Sequence, residues 1–462
     1  MLGTSCPVCP CAQCKIRKRL RPSESNALKN LHFSIHRMAL DECVLYLDEK
    51  YAKLPDSKEI NDIQTAVEEA ISSLLKSVAA RDVRFASKFT RSGSFYEGTK
   101  IMQPDEFDFM VWLSGLSEIC DIIYMGRSKR HILMKVLSHN EDDVVHLWSE
   151  FFEEVSVNTD LPYHASSNER TFRCLDGSTI KQKFYSLLRE AFKSITWPSN
   201  LKLLTSTGLA FDRIGLSGAM QASASEKLDL VWKDHLKVSV DLALAIECKG
   251  WPLLSGIFDS LIDEGHPAFS VKTEIKRAGF HVVPKLGAIW RISWSKAEAA
   301  LLKYIFSENE QIAVSYRVAK LINETHFIEA SGNADAAAHM PIRLCDSFSL
   351  KHLLMFLVIS NSSYFRKSCG EILVDLLQNL HDGMTTGNCP LVFLAGSSSL
   401  KSGPALQCYA VALKKSINVL LNMQETVASQ VARTCEDFYN DKISVVLPKP
   451  PRNIRSYKIT KL

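Results

Sequence analysis

The stretch Gly93-Ser94-Phe95-Tyr96-Glu97-Gly98-Thr99-Lys100, followed by Pro104-Asp105-Glu106-Phe107-Asp108-Phe109-Met110-Val111-Trp112-Leu113, moves the chain from turn residues into the period of a β-strand. Glu106 and Asp108 are one residue apart, and side chains alternate faces along a strand, so both carboxylates point the same way. Flanked by Phe107, Phe109 and Met110, which favour burial, the two would repel each other unless a cation sat between them. Two readings meet that need: an exposed strand edge whose acids pair with lysines, or a metal site. Asp241 has a similar setting within Val238-Ser-Val-Asp241-Leu-Ala-Leu-Ala-Ile-Glu247, and a buried lone carboxylate is costly. Three oxygen ligands converging from neighbouring strands suit Mg²⁺ or Mn²⁺, and suit the two-ion arrangement that clamps the attacking and leaving oxygens in phosphoryl transfer. Just upstream, Ser92-Gly93-Ser94 is a turn whose backbone N–H groups and hydroxyls could hold a triphosphate.

Outward from this stretch, Asp56 followed by Glu59 reads as a capping box opening a long amphipathic helix. Ile60, Ile63, Val67, Ile71, Leu74, Leu75 and Val78 recur there at three- and four-residue spacing. A helical middle is expected from about 140 to 198. A second β region follows, from Phe211 through Leu228–Trp232 and Val238–Glu247, with a hairpin turn near Lys233-Asp234. Beyond Trp294 the pattern is helical almost to the end. The fold class is α+β: a lobe with a mixed sheet and a long amphipathic helix, then an α-helical lobe. The expected boundaries are a tail over 1–28, a core lobe over 29–296, a helical lobe over 297–441 and a tail over 442–462.

With 462 residues, 46% hydrophobic and 23% charged, the chain is neither a small stapled scaffold nor a wholly disordered polymer. Residues 1–30 hold six Lys/Arg against one Glu, and 442–462 hold six against none, so the net charge of +4 leaves −7 for the body. The longest apolar run, Leu353–Ile359, falls far short of the roughly 20 residues of a membrane span. Met1–Pro10 lacks the apolar run of a signal peptide, so a cytosolic or nuclear protein with reduced core thiols is expected. Cys6, Cys9, Cys11 and Cys14 lie in a basic tail, but two CxxC pairs one residue apart leave no loop to wrap a zinc tetrahedron. Disorder or reversible acylation are the competing readings of this tail.

The ordered set of Gly93-Ser94, Glu106-x-Asp108 and Asp241 resembles the signature of nucleotidyltransferases, and more narrowly that of cyclic GMP-AMP synthase and the cGAS-like receptors of invertebrate animals. The likeness continues through Trp251-Pro252, His281-Val-Val-Pro284-Lys285, Trp290-Arg291-Ile-Ser293-Trp-Ser295 with Glu298, and Ser347-Phe348-Ser-Leu-Lys351, over about residues 50–440. It implies a two-lobed nucleotidyltransferase fold and two Mg²⁺ or Mn²⁺ ions held by Glu106, Asp108 and Asp241, with Asp241 on the ion that activates the attacking hydroxyl. It also implies nucleotide binding by Gly93, Ser94, Arg291, Ser293, Ser295, Glu298, Lys320, Ser347 and Phe348. Arg291, Ser293 and Ser295 alternate, so they are expected on one strand face reading a base. Phe348 stands where the family has a tyrosine; it keeps the stacking face and lacks the hydroxyl.

The likeness implies ATP and GTP or other nucleoside triphosphates as substrates, a cyclic dinucleotide product in innate immune signalling, and a STING-like receptor downstream. Vertebrate members carry a His/Cys zinc insertion that grips DNA, whereas Ala299–Lys320 contains no Cys or His. No zinc is therefore expected in the core, and double-stranded RNA is favoured over DNA as activating ligand. Candidate contacts to it are Arg81, Arg84, Lys88, Lys272, Lys276, Arg277 and Arg317. Ala243 replaces a family threonine near the base, which leaves the choice of dinucleotide open. The competing reading is a catalytically silent, nucleotide- or protein-binding relative of the male-abnormal group; retention of all three carboxylates argues against it.

Overall fold

A computed structural model of the protein describes residues 40–392 and 397–399, apart from 114–115, 126–130, 138–142, 159–168, 205–224, 253–257, 333–346, 387 and 391. The tails at 1–28 and 442–462, with the cysteine cluster, lie outside the described residues.

The first helices are α1 (Leu40–Leu47) and α2 (Lys58–Arg81). The cap of α2 is one residue later than expected: the Ser57 hydroxyl accepts from the Ile60 N–H at 3.3 Å. Glu59 does not reach back to a cap. Its carboxylate accepts instead from Trp232 Nε1 and Lys233 Nζ, both at 3.1 Å, and so joins the helix to the sheet. Ile63, Val67, Ile71, Leu74, Leu75 and Val78 are buried, each contributing roughly 1.5–3 kcal/mol through removal from water.

Strand β1 (Ser87–Ser92) runs into the single-turn helix α3 (Gly93–Tyr96), then into β2 (Glu106–Leu113). Strands β3 (Cys120–Tyr124), β4 (His131–Val136), β5 (Phe152–Asn158) and β6 (Glu169–Leu175) follow. The expectation of a helical middle is corrected here, because β5 and β6 pair antiparallel from Phe152↔Leu175 to Asn158↔Glu169. Their sequences, Glu-Glu-Val-Ser-Val-Asn and Glu-Arg-Thr-Phe-Arg-Cys-Leu, alternate at period two rather than 3.6. Only α4 (Gly177–Phe192), capped by Asp176 on the Ser178 and Thr179 N–H groups, is a long helix in that region.

Strands β7 (Leu201–Leu203), β8 (Ser225–Trp232) and β9 (Leu236–Cys248) complete the second β region. The β8–β9 hairpin turns through Lys233, Asp234 and His235 between the paired Trp232 and Leu236, with left-handed φ values of 45° and 63° at Lys233 and Asp234 and the His235 N–H donating to Trp232 O. Helix α5 (Phe269–Arg277), strands β10 (Phe280–Leu286) and β11 (Ile289–Ser293), and helices α6 (Ser295–Glu308), α7 (Glu310–Gly332), α8 (Ser347–Ser360) and α9 (Cys369–Thr386) follow. Two short strands, Asn388–Pro390 and Ser397–Ser399, interrupt the expected all-helical continuation.

Strands β1 to β11 form one mixed sheet with the path β1-β2-β9-β10-β11-β4-β6-β5, and Asn388–Pro390 pairs separately with Ser397–Ser399. β2 and β9 are parallel and both interior, so Glu106 and Asp108 do not lie on a sheet edge. Phe107, Phe109, Val111 and Leu113 of β2, with Val238, Val240, Leu242 and Leu244 of β9, belong to the main core, which also takes the buried faces of α2 and α4. The alternating residues point to the opposite face. Although α1 precedes the expected boundary at 296, it packs with the later helices: Asp41 accepts from the Gly370 N–H at 2.8 Å. Cys43, Cys120, Cys174, Cys248 and Cys369 are buried, and none of these five is in a disulfide.

Candidate active site

Because β2 and β9 are parallel with Asp108 opposite Asp241, a single register places three acids together. One carboxylate oxygen from each of Glu106, Asp108 and Asp241 lies within 4.8 Å of the others, and among the described residues this is the one such cluster of metal-ligand type. Burial raises the Asp108 carboxyl to about 7, reinforced by the neighbouring Glu106 and Asp241 charges. Burial also raises that of Asp241, against the pull of Lys227. Two carboxyls that resist ionising, Asp108 and Asp241, beside the third acid Glu106 are the donor set that a hard divalent cation relieves. Lys100 partly serves that end already, with Nζ 2.7 Å from Asp105 and 3.1 Å from Glu106.

The turn before β2 is fitted to the cluster. Ser92 pairs with Asp108 across β1 and β2, which brings Gly93 against the Asp108 side chain. Gly93 has φ +75°, and a Cβ there would sit 1.9 Å from Asp108 Oδ2 and 2.8 Å from its Cβ. Only glycine allows both this conformation and this approach. Ser94 follows in α3, at the edge of the acidic cluster.

The face that carries the acids continues across the sheet. Met110, Ala243, Ala245 and Val283 form an apolar strip along it. Beyond them, Glu247, His281 and Ser293 are cross-strand neighbours, and Arg291 lies opposite Val283. His281 is fully buried, and burial pushes its imidazole down to about 4. Arg291 is exposed and Ser293 half-buried on β11, as alternation requires. Ser295 departs from the expectation: β11 ends at Ser293, Trp294 turns the chain, and Ser295 opens α6, its hydroxyl 3.5 Å from that of Ser293.

Glu298 is buried in α6, held by Lys351 Nζ at 2.7 Å and His352 Nε2 at 3.2 Å. Burial would raise its carboxyl, but Lys351 and His352 outweigh it and bring it down to about 2. The Val392 N–H donates to His352 Nδ1, which leaves Nε2–H to face Glu298. Lys351 is likewise raised despite burial, by Glu298 and Glu97. Lys320 is buried and donates to the Thr99 carbonyl at 2.8 Å. Phe348 is 41% exposed, with its ring 4.3 Å from that of His352, so a stacking face stays open. Glu97, Lys100 and Lys351 were given no role from sequence. The spacing of Lys100 to Glu106 was legible, but the partnership of Lys351 with Glu97, 254 residues apart, was not.

The candidate nucleic-acid contacts divide. Arg317 is corrected: it is 7% exposed and bound bidentate to Asp48 at 2.7 and 2.5 Å, so it faces no solvent. Lys272 donates to the Asp259 and Ile262 carbonyls and Lys276 pairs with Asp259. Arg81 binds Ser77 and Ser194, and Arg84 binds Asp82 and Glu150. Lys88, lying over Trp112, and Arg277 are exposed.

Residues 95–304 match the Mab-21 protein nucleotidyltransferase domain. The match covers a little under half of the chain. It contains the Glu106, Asp108 and Asp241 cluster and β2 through most of α6. The chain is 25% identical over 261 residues to cyclic GMP-AMP synthase of Mus musculus, covering 53% of this chain and 42% of that protein. It is 24% identical over 264 residues to cyclic GMP-AMP synthase of Sus scrofa, covering 53% and 43%. To the protein named mab-21-like of Anopheles gambiae it is 22% identical over 249 residues, covering 54% and 58%. The chain thus spans about half the length of these relatives. Among the described residues, no helix is long and apolar enough to cross a membrane.

Proposed function

We propose that this protein is a metal-dependent nucleotidyltransferase that joins two nucleoside triphosphates into a cyclic dinucleotide second messenger in response to double-stranded RNA. The observation that carries the reading is the cluster of Glu106, Asp108 and Asp241 on one face of two parallel strands, with the Gly93 turn packed against Asp108. Two Mg²⁺ or Mn²⁺ ions, when bound, would neutralise triphosphate charge and lower the pKa of the attacking ribose hydroxyl. Glu106 and Asp108 would hold both ions and Asp241 one of them. Gly93 and Ser94 offer backbone N–H groups and a hydroxyl to the triphosphate. Arg291 and Ser293 present donors to a nucleobase edge, Ser295 and Ser347 stand at the starts of α6 and α8, and Phe348 offers its exposed ring for stacking. Glu298 contributes from within, by fixing Lys351 and His352.

RNA is preferred because α6 and α7 are joined only at Asn309, with no His or Cys between Ala299 and Lys320 to build a zinc-bound DNA grip. Lys88 and Arg277 are the basic side chains best placed for phosphates; a STING-like receptor would consume the product. The binding-module reading draws on the relative named mab-21-like, and the intact triad speaks for the enzyme.

The test is incubation with the four labelled triphosphates, Mg²⁺ or Mn²⁺, and long double-stranded RNA or DNA. A cyclic dinucleotide is expected with RNA, and none from the Asp241→Asn variant. Folded wild-type protein that yields no dinucleotide with any metal and nucleic acid would sink the proposal.

A further inference from the structure

The turn that carries Gly93 and Ser94 is closed by the three residues after it. The Glu97 N–H donates to Gly93 O at 3.1 Å, the Gly98 N–H to Phe95 O at 3.2 Å and the Thr99 N–H to Ser94 O at 2.9 Å. Wherever residues 97–99 sit, Gly93 and Ser94 sit with them. The acceptor groups of the same three residues are each taken by a cation from the later helices. Glu97 is bound by Lys351 of α8 at 3.1 Å, Gly98 O by Arg317 Nη1 of α7 at 3.4 Å, and Thr99 O by Lys320 Nζ of α7 at 2.8 Å.

Burial makes the contacts to Glu97 and Thr99 costly to break, while the longer one to Gly98 O lies at an exposed residue. Thr99 is 0% exposed, Lys320 5% and Arg317 7%, and the Glu97 and Lys351 side chains are scarcely more open. A buried cation that loses its partner keeps its full desolvation penalty, so each contact is held in one geometry rather than among many. The cations are anchored in turn: Arg317 by the Asp48 carboxylate, Lys351 by Glu298, and Lys320 over the Tyr316 ring at 5.8 Å. Residues 101–102 are gripped by the same body. The Met102 N–H donates to Ala52 O at 3.1 Å, and Ile101 packs with Ala52 and Leu321.

We infer that Arg317, Lys320 and Lys351 form a three-cation clamp through which α7 and α8 set the position of the Gly93–Ser94 turn against the carboxylate cluster. They are positioning residues: they act on the site through residues 97–99. The clamp makes the turn and α7 one cooperative unit, so a ligand that shifts α1 or α7 shifts the turn with it. That the turn serves triphosphate binding rests on the proposed function; the clamp itself does not.

The experiment is hydrogen exchange on the full chain in low guanidinium. In the wild type, the amides of 97–99 and of 317–321 should show the same opening equilibrium within about threefold. In Arg317→Met and Lys351→Met, exchange at 97–99 should rise at least tenfold while α2 amides stay protected, and Lys351→Arg should restore much of the protection. Where a variant does not fold, the wild-type comparison still decides: amides 97–99 opening freely while 317–321 stay closed would overturn the clamp. Should the protein prove to be a cyclase, Arg317→Met should lower kcat about tenfold at unchanged KM for the triphosphates. A raised KM with kcat kept would instead tie Arg317 to substrate binding and overturn its place in the clamp. Exchange reads the clamp without catalysis, so its failure and that of the enzymatic reading are distinct results.

Discussion

Replacing Gly93 with alanine tests the packing of the turn on the carboxylate cluster, and the structure supplies its own controls. Gly93, Gly98 and Gly279 all have positive φ, at 75°, 69° and 76°, so alanine pays a similar backbone strain at each, about 1–2 kcal/mol. They differ in what the new methyl would meet. At Gly98 nothing lies within 4 Å, and the strain stands alone. At Gly279 the methyl would lie 2.8 Å from the Cys248 carbonyl oxygen, remote from the acids. At Gly93 it would lie 1.9 Å from Asp108 Oδ2, 2.5 Å from Cγ and 2.8 Å from Cβ, so rotating the carboxylate cannot clear it and backbone must move. Overpacking of that kind adds roughly 1–3 kcal/mol. Gly93→Ala should therefore cost about 2–5 kcal/mol and Gly98→Ala about 1–2 kcal/mol in urea unfolding. The second readout is the rise in Tm with Mg²⁺. Gly98→Ala and Gly279→Ala should keep it, and Gly93→Ala should lose it with turnover down about 100-fold, as for a misplacement near 1 Å. The reasoning is refuted if Gly93→Ala unfolds within about 0.5 kcal/mol of Gly98→Ala and keeps its Mg²⁺ response, a gap no larger than the additivity error for separate sites.

Asp108 has a folded pKa of about 7 against 3.8 unfolded, so this group costs the metal-free protein stability as pH rises from 3.8 through 7. Asp108→Asn should then be more stable than wild type at pH 8 without metal, and Mg²⁺ should raise the wild-type Tm more at pH 8 than at pH 6; calorimetry at both pH values checks it. Glu298→Gln leaves Lys351 with Glu97 alone and should cost about 3 kcal/mol in urea unfolding. Its wild-type contribution is present above pH 4.5 and fades as pH falls toward 2. Lys88→Ala should weaken RNA binding and flatten its salt dependence at unchanged Tm, whereas Arg317→Ala should lower Tm, as a titration at several salt concentrations and a melting curve would show.

Local pattern carried much of the fold. The three- and four-residue run Ile63–Val78, the alternation in Glu106–Leu113 and Val238–Glu247, and the turn at Lys233-Asp234 all follow the local backbone repeat of helix, strand and turn, which periodicity records whatever the distant partner. The β5–β6 hairpin escapes sequence reading because its two strands are short and their alternation is weak beside the helical pattern of Gly177–Phe192. Ser295 was misplaced because a strand does not announce where it stops, and Trp294 turns the chain one residue too soon for the alternation to continue. For the charged groups, sequence shows type and spacing but not partner. Arg317 and Lys88 look alike as letters, and only the fold sends one to Asp48 and the other to solvent.

The sequence by itself determined which acids share a face, because that follows from the two-residue repeat of a strand. It determined too that Gly93 begins a turn beside them. Tertiary structure decided that Asp241 meets Asp108, since only the parallel register of β2 and β9 brings together residues 133 positions apart. It also decided that Arg317, Lys320 and Lys351 turn inward on residues 97–99. A buried cation is tolerable only where carboxylates and carbonyls from distant segments converge on it, and that convergence is a property of packing, not of any one segment.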